Sequence, residues 1–103
     1  MKEVTVKEIF RETDKYLNQA VKVSGWIRTL RDSKNFGFIE LNDGTFFKNL
    51  QIIFEDNMEN FAEVRRLGVS SAIIVEGNLV ESPGAKQPFE VKALKIEVEG
   101  KSA

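Results

Sequence analysis

A helix signal falls between two groups of strand-periodic runs, and that order constrains this chain more than any other feature. Val21, Val23, Gly25 and Ile27 alternate with Lys22, Ser24, Trp26 and Arg28, the two-residue period of a strand with one face buried. A loop over Arg31 to Asn35 leads to a second run, Phe36 to Leu41, and Asn42-Asp43-Gly44 reads as a hairpin turn. A third run spans Lys48 to Phe54. A helix is then predicted, with Asp56 and Glu59 as a capping box, Phe61, Val64 and Leu67 on one face, and Gly68 as its stop. Ala72 to Val80 is β-branched and reads as a fourth strand, Ser82-Pro83-Gly84 breaks it, and Phe89 to Val98 supplies a fifth.

Three strands, a helix and two more strands is the order of the five-stranded Greek-key barrel called the OB-fold, an all-β architecture carrying helices. Thr5 and Glu8 form a second capping box, opening a helix with Ile9, Phe10, Tyr16 and Leu17 ahead of the barrel. The 103 residues are expected to form one domain, with residues 1–18 as a helical extension and residues 99–103 as a linker or chain end.

Composition narrows the chemistry. The sequence has no cysteine and no histidine, which removes thiolate metal sites, disulfides, the commonest general base and the usual nucleophile–base pairs. No phosphate-cradling loop is present either, so an independent enzyme is not expected. No run of ~20 apolar residues and no signal core occurs, and a cytoplasmic, membrane-free protein is the expectation. The formal net charge of −1 argues against a large non-specific nucleic-acid binder. The charge is uneven, however. Lys22, Arg28, Arg31 and Lys34 gather against a single acid, Asp32, while Glu55, Asp56, Glu59 and Glu63 follow without a base.

The basic stretch coincides with aromatics. In the second strand Ile39 and Leu41 are the better core residues, which turns Phe36, Phe38 and Glu40 outward. Phenylalanine faces stack on bases and guanidinium groups hold phosphates, so such a sheet is a platform for single-stranded nucleic acid. Alternation alone leaves Phe38 open to base stacking, to an ordinary core position, or to packing beneath a loop or the front helix. Gln51, between Leu50 and Ile52, faces out near Phe38 and has an amide suited to a base edge, though a solvated glutamine is the commoner case. Arg31 can meet a phosphate or base, or be neutralised by Asp32. Glu90 can accept from a guanine or from the amino group of cytosine, or sit solvated at the start of the last strand. Trp26 suits the cover of a barrel end.

Several separated segments carry a resemblance. Val21-Lys22-Val23-Ser24-Gly25-Trp26-Ile27-Arg28, Phe36-Gly37-Phe38-Ile39-Glu40-Leu41-Asn42-Asp43-Gly44 and Leu50-Gln51 resemble the N-terminal anticodon-binding domain of class IIb aminoacyl-tRNA synthetases, the aspartyl, asparaginyl and lysyl enzymes. The run from Arg31 to Phe38, Phe46-Phe47-Lys48-Asn49-Leu50-Gln51 and the run from Val75 to Glu90 are most similar to the bacterial asparaginyl branch.

That resemblance implies a set of roles. Phe38 would stack on the middle anticodon uracil, Gln51 would bond its edge and Arg31 would contact the same nucleotide. Glu90 would meet the first anticodon base, a guanine. The arginine that aspartyl relatives carry near the end of the fourth strand corresponds to about Val80 here, a loss consistent with an anticodon ending in uracil. Ser82, Lys86 and Gln87 become candidates for that last base, and Arg28 and Lys34 complete the RNA-binding set. The resemblance further implies tRNA(Asn) and a catalytic domain of the same ligase as partners. No cofactor or metal is expected in this domain, ATP and Mg acting in the parent enzyme. A monomer is expected for the domain alone and a homodimer for the parent. Three alternatives stand beside this reading: an aspartyl-type anticodon domain, a general single-strand binder, and a protein-interaction domain.

Overall fold

A computed structural model describes residues 2–82 and 87–101. The elements run α1 (Val6–Arg11), α2 (Thr13–Tyr16), β1 (Ala20–Asp32), β2 (Phe36–Asn42), β3 (Leu50–Glu55), α3 (Phe61–Val64), β4 (Ala72–Glu81) and β5 (Phe89–Gly100). The five strands close into a barrel in the order β1-β2-β3-β5-β4, with β1 also paired to β4. Only β3 and β5 run parallel, joined at Ile52↔Val91 and Ile53↔Lys92. This is the expected OB-fold, with its helix between the third and fourth strands.

Period two works as a sorting rule here. Val21, Val23, Ile27, Ile39, Leu41, Leu50, Ile52, Phe54, Ile73, Val75, Leu79, Val91 and Ile96 all point into the barrel and are buried. Helices cover its two ends. At the end bearing the β1–β2 turn, α3 inserts Phe61 and Val64, and the Phe61 ring lies 5.5 Å from that of Phe54. At the other end α1 buries Val6 and Ile9, and Phe10 meets Phe89 edge-on at 5.1 Å.

The front helix forms as two short pieces, α1 and α2. The Thr5–Glu8 capping box is present, with Glu8 N–H donating to Thr5 Oγ1 and Thr5 N–H donating to Glu8 Oε1. That backbone donor, more than any other neighbour, holds the Glu8 carboxyl below its ordinary range. A carboxylate with a lowered folded value stabilises above its unfolded pKa and loses that contribution as acid titrates it through the folded one. Protection of the first-turn amides of α1, relative to their intrinsic exchange, should therefore fall at acid pH, and Glu8→Gln should abolish that acid-dependent change. An unchanged acid response in Glu8→Gln would assign it elsewhere.

Five local expectations are corrected. The strand β1 continues through Arg31 and Asp32, so the turn to β2 is confined to Ser33–Asn35. The Asn42-Asp43-Gly44 signal opens a longer loop, 43–49, because Gly44 takes φ 81° while the Asn42 amide reaches across to Asn49. That loop also delays β3 until Leu50. The capping box at Asp56 and Glu59 does not form: α3 starts after Asn60, whose amide instead donates to the Ile96 carbonyl at 2.9 Å. Finally, Gly68 is not its stop, since the helix ends at Val64 with Arg65 still in right-handed geometry.

Candidate nucleic-acid interface

The outer face of β1, β2, β3 and β5 brings the candidate residues together, and one irregularity in β1 makes that possible. Ile27 pairs with Leu41, yet Thr29 pairs with Glu40, so Arg28 is the extra residue of a β-bulge. Up to Ile27 the odd-numbered residues point inward. Beyond the bulge the parity reverses, so Leu30 turns toward the core opposite Ile39 and Arg31 turns outward opposite Phe38. Without that single extra residue, Arg31 would face the barrel interior.

On β2, Phe36, Phe38 and Glu40 point outward as expected, and the core-facing alternatives are Gly37, Ile39 and Leu41. The Phe36 and Phe38 rings meet edge-to-face at 5.4 Å, and Phe38 is half-buried rather than core. The Arg31 guanidinium carbon lies 5.7 Å from the Phe38 ring centroid, within cation–π range. This cation also steadies the aromatic face while its own N–H groups stay open to an acceptor.

Asp32 does not neutralise Arg31. Its Oδ2 accepts from Arg65 Nε at 2.9 Å and Nη2 at 2.7 Å, tying the strand end to the segment after α3. Adjacent strand residues point to opposite faces, which separates Asp32 from Arg31 despite their adjacency in sequence. Among the described residues, Arg28, Arg31 and Lys34 have no carboxylate partner. Arg28 and Lys34 are exposed at the bulge and in the β1–β2 turn. The positive charge of this end is therefore available rather than cancelled.

Across the face, Gln51 pairs with Glu40 and Ile53 with Phe38. Gln51 Nε2 donates to Glu90 Oε1 at 2.8 Å, and Ser82 Oγ donates to the same oxygen at 3.0 Å. These bonds fix which way the Gln51 amide points, leaving its carbonyl oxygen and Glu90 Oε2 as acceptors without a described partner. Glu40 is itself held by Thr29 Oγ1 at 2.6 Å, and Glu55 is paired to Lys92 at 3.2 Å. Acids on this face are thus engaged, and its open groups are two rings, three cations and two fixed acceptors.

Ser82 sits beside Glu90, as a supporting donor. Gln87 braces the loops: its amide nitrogen donates to the Asn49 carbonyl and its oxygen accepts from the Gln51 N–H at 3.2 Å. Lys86 lies outside the described residues, as do Pro83, Gly84 and Ala85. Trp26 is away from this set and covers the turn glycine Gly44, in keeping with an end-covering role. Sequence reasoning gave Thr29 no role and did not anticipate the bracing bond between Asn42 and Asn49. Among the described residues, no group of three or more Asp, Glu, His or Cys could hold a metal ion. No helix among them is long and apolar enough to cross a membrane.

Residues 21–99 match the tRNA-anticodon family model, described as an OB-fold nucleic acid binding domain. The chain belongs to this family. Over 102 residues this OB-fold domain is 61% identical to the asparagine–tRNA ligase of Alkaliphilus metalliredigens, covering 99% of the chain and 22% of that protein. It is 60% identical to the corresponding ligase of Clostridium tetani, again over 22% of its length. The chain thus spans about a fifth of the length of the curated relatives it matches. Among solved structures, asparaginyl-tRNA synthetase from Pyrococcus horikoshii superposes with a TM-score of 0.84 at 25% identity, covering 99% of this chain and 24% of that one. The resemblance to the asparaginyl branch therefore extends over nearly the whole OB-fold domain, barrel and front helices together.

Proposed function

We propose that this domain binds the anticodon loop of tRNA(Asn) as part of an asparagine–tRNA ligase. The observation that carries the reading is the convergence of Arg31, Phe38, Gln51 and Glu90 on one open face. Phe38 offers a stacking surface for the middle anticodon base, with Arg31 beside it for the phosphate or base edge. Gln51 reads the edge of that base, its amide orientation set by Glu90. The Glu90 carboxylate has an acceptor left for a guanine at the first anticodon position. Arg28 and Lys34 attract the backbone from the rim, and Ser82 holds the Glu90 carboxylate in place.

The domain contributes no chemistry of its own in this scheme. The amino-acid activation that uses ATP and Mg belongs to a catalytic domain of the parent ligase, whose expected state is a homodimer. The four positioned groups favour selective readout over general single-strand binding, which would rest on many phosphate contacts and a larger positive charge.

Binding of a GUU anticodon stem-loop against one with the middle base changed to cytosine tests the reading. The wild-type domain should prefer uracil, and Gln51→Ala should reduce that preference by ~5-fold or more, in line with the loss of a specific base hydrogen-bond set. An unchanged base preference in a folded Gln51→Ala domain would remove Gln51 from the readout.

A further inference from the structure

A further outward phenylalanine has a cation beside it, as Phe38 does. Phe47, in the loop 43–49, is 82% exposed, the most exposed large apolar side chain among the described residues. The Lys48 ammonium lies 5.7 Å from its ring centroid, the same separation as Arg31 keeps from Phe38. A chain of rings supports it from beneath: Phe47 on Phe46 at 4.7 Å, Phe46 on Phe10 at 5.0 Å, and Phe10 on Phe89 at 5.1 Å.

The loop that holds it is braced at both ends. Asp43 Oδ2 accepts from Val6 N–H at 2.9 Å, Thr45 Oγ1 accepts from Lys7 N–H at 3.0 Å, and Asn42 binds Asn49 at 2.9 Å. Gln87 joins Asn49 to the Gln51 backbone, so the loop is continuous with the recognition face. An aromatic ring exposed on a loop fixed this firmly is pre-organised for something to lie on it. Lys48 beside it has no carboxylate partner among the described residues, which suits an anionic occupant.

We infer that Phe47 is a second base-stacking residue, with Lys48 its phosphate contact, and that its occupant is the nucleotide immediately 5′ of the anticodon. The direction follows from the face. Gln51 lies opposite Glu40, one outward position along β2 from Phe38, and Glu90 lies beside Gln51. A strand that sets its middle anticodon base on Phe38 and its first at Glu90 next reaches the loop bearing Phe47. The assignment rests on the proposed anticodon reading.

The test uses the GUU stem-loop and the same RNA made abasic at the nucleotide 5′ of the anticodon, with Phe38→Ala as the reference variant. Phe47→Ala should weaken binding of the intact RNA ~5- to 150-fold, the usual range for one base–aromatic stack, and Phe47→Trp should retain it. Phe47→Ala should cost nothing further on the abasic RNA, and Lys48→Gln should lower the salt slope of log K by about 0.7. Wild-type affinity in Phe47→Ala alongside a loss in Phe38→Ala overturns this inference and leaves the anticodon reading intact. Wild-type affinity in Phe47→Leu would overturn the stacking role, since leucine has no ring to stack on a base. A loss in Phe47→Ala that is equal on both RNAs would assign the ring to a different nucleotide. No effect of either phenylalanine would remove the anticodon reading and this inference together.

Discussion

Phe38→Ala is expected to weaken binding of a GUU anticodon stem-loop by about 1–3 kcal/mol, or ~5- to 150-fold in Kd. The ring is half-buried, flanked by Phe36 on one side and Arg31 on the other, so its removal takes away the stacking surface and the guanidinium's support together. Truncation outside the core leaves the barrel's buried residues in place, so the thermal midpoint should move little compared with affinity. Phe38→Tyr keeps the aromatic face and should retain most of the binding. Calorimetric titration of the three proteins reads this directly, and a folded Phe38→Ala with wild-type affinity would mean that the ring is not stacked on a base.

The largest effect on stability is expected one strand away from that ring, inside the barrel. Phe54 is fully buried and lies under Gly37, the residue between Phe36 and Phe38. A Cβ placed on Gly37 would come within 2.4 Å of the Phe54 ring, so the glycine is present because the aromatic fills its space. Phe54→Ala should cost about 3–5 kcal/mol through lost burial and the cavity left behind. Gly37→Ala should cost about 1–3 kcal/mol through overpacking. The two share one volume, so the double variant should lose less than the sum of the singles, because the new methyl enters the vacated space. Urea unfolding of the four proteins measures the coupling, and strict additivity would contradict the contact between these two positions. The pair also links core to function, since displacement of the Gly37 backbone would move both outward phenylalanines.

Strand alternation made most of the barrel legible. Residues such as Val21, Val23, Ile39, Leu41, Ile52 and Val75 alternate cleanly because one side of each strand faces a closed interior. The outward placement of Phe38 and Gln51 followed from the same rule. The rule gave no placement for Arg31, which was read as loop, because the bulge that turns it outward is one extra residue and leaves no composition mark on β1. Local patterning failed at Asp56 and Glu59, where a plausible capping pattern yielded to a tertiary bond between Asn60 and the Ile96 carbonyl. The same limit hid the partner of Asp32. Arg65 is distant in sequence, and nothing local distinguishes a bond to it from neutralisation of Arg31. The bracing amide of Gln87 was visible only as a polar loop residue, since its two partners come from the far side of the β3 start. Local chemistry and the family resemblance thus named the candidate residues, and long-range pairing decided which of them remain open.

The most direct test of the account is an NMR titration of the labelled domain with the GUU anticodon stem-loop. The account predicts saturable shifts concentrated at Arg31, Phe38, Gln51 and Glu90, with little change around Ile74 and Glu76 of β4, on the opposite side of the barrel from β2 and β3. Shifts confined to that opposite side, or none at millimolar RNA, would contradict the assignment of this face to the anticodon.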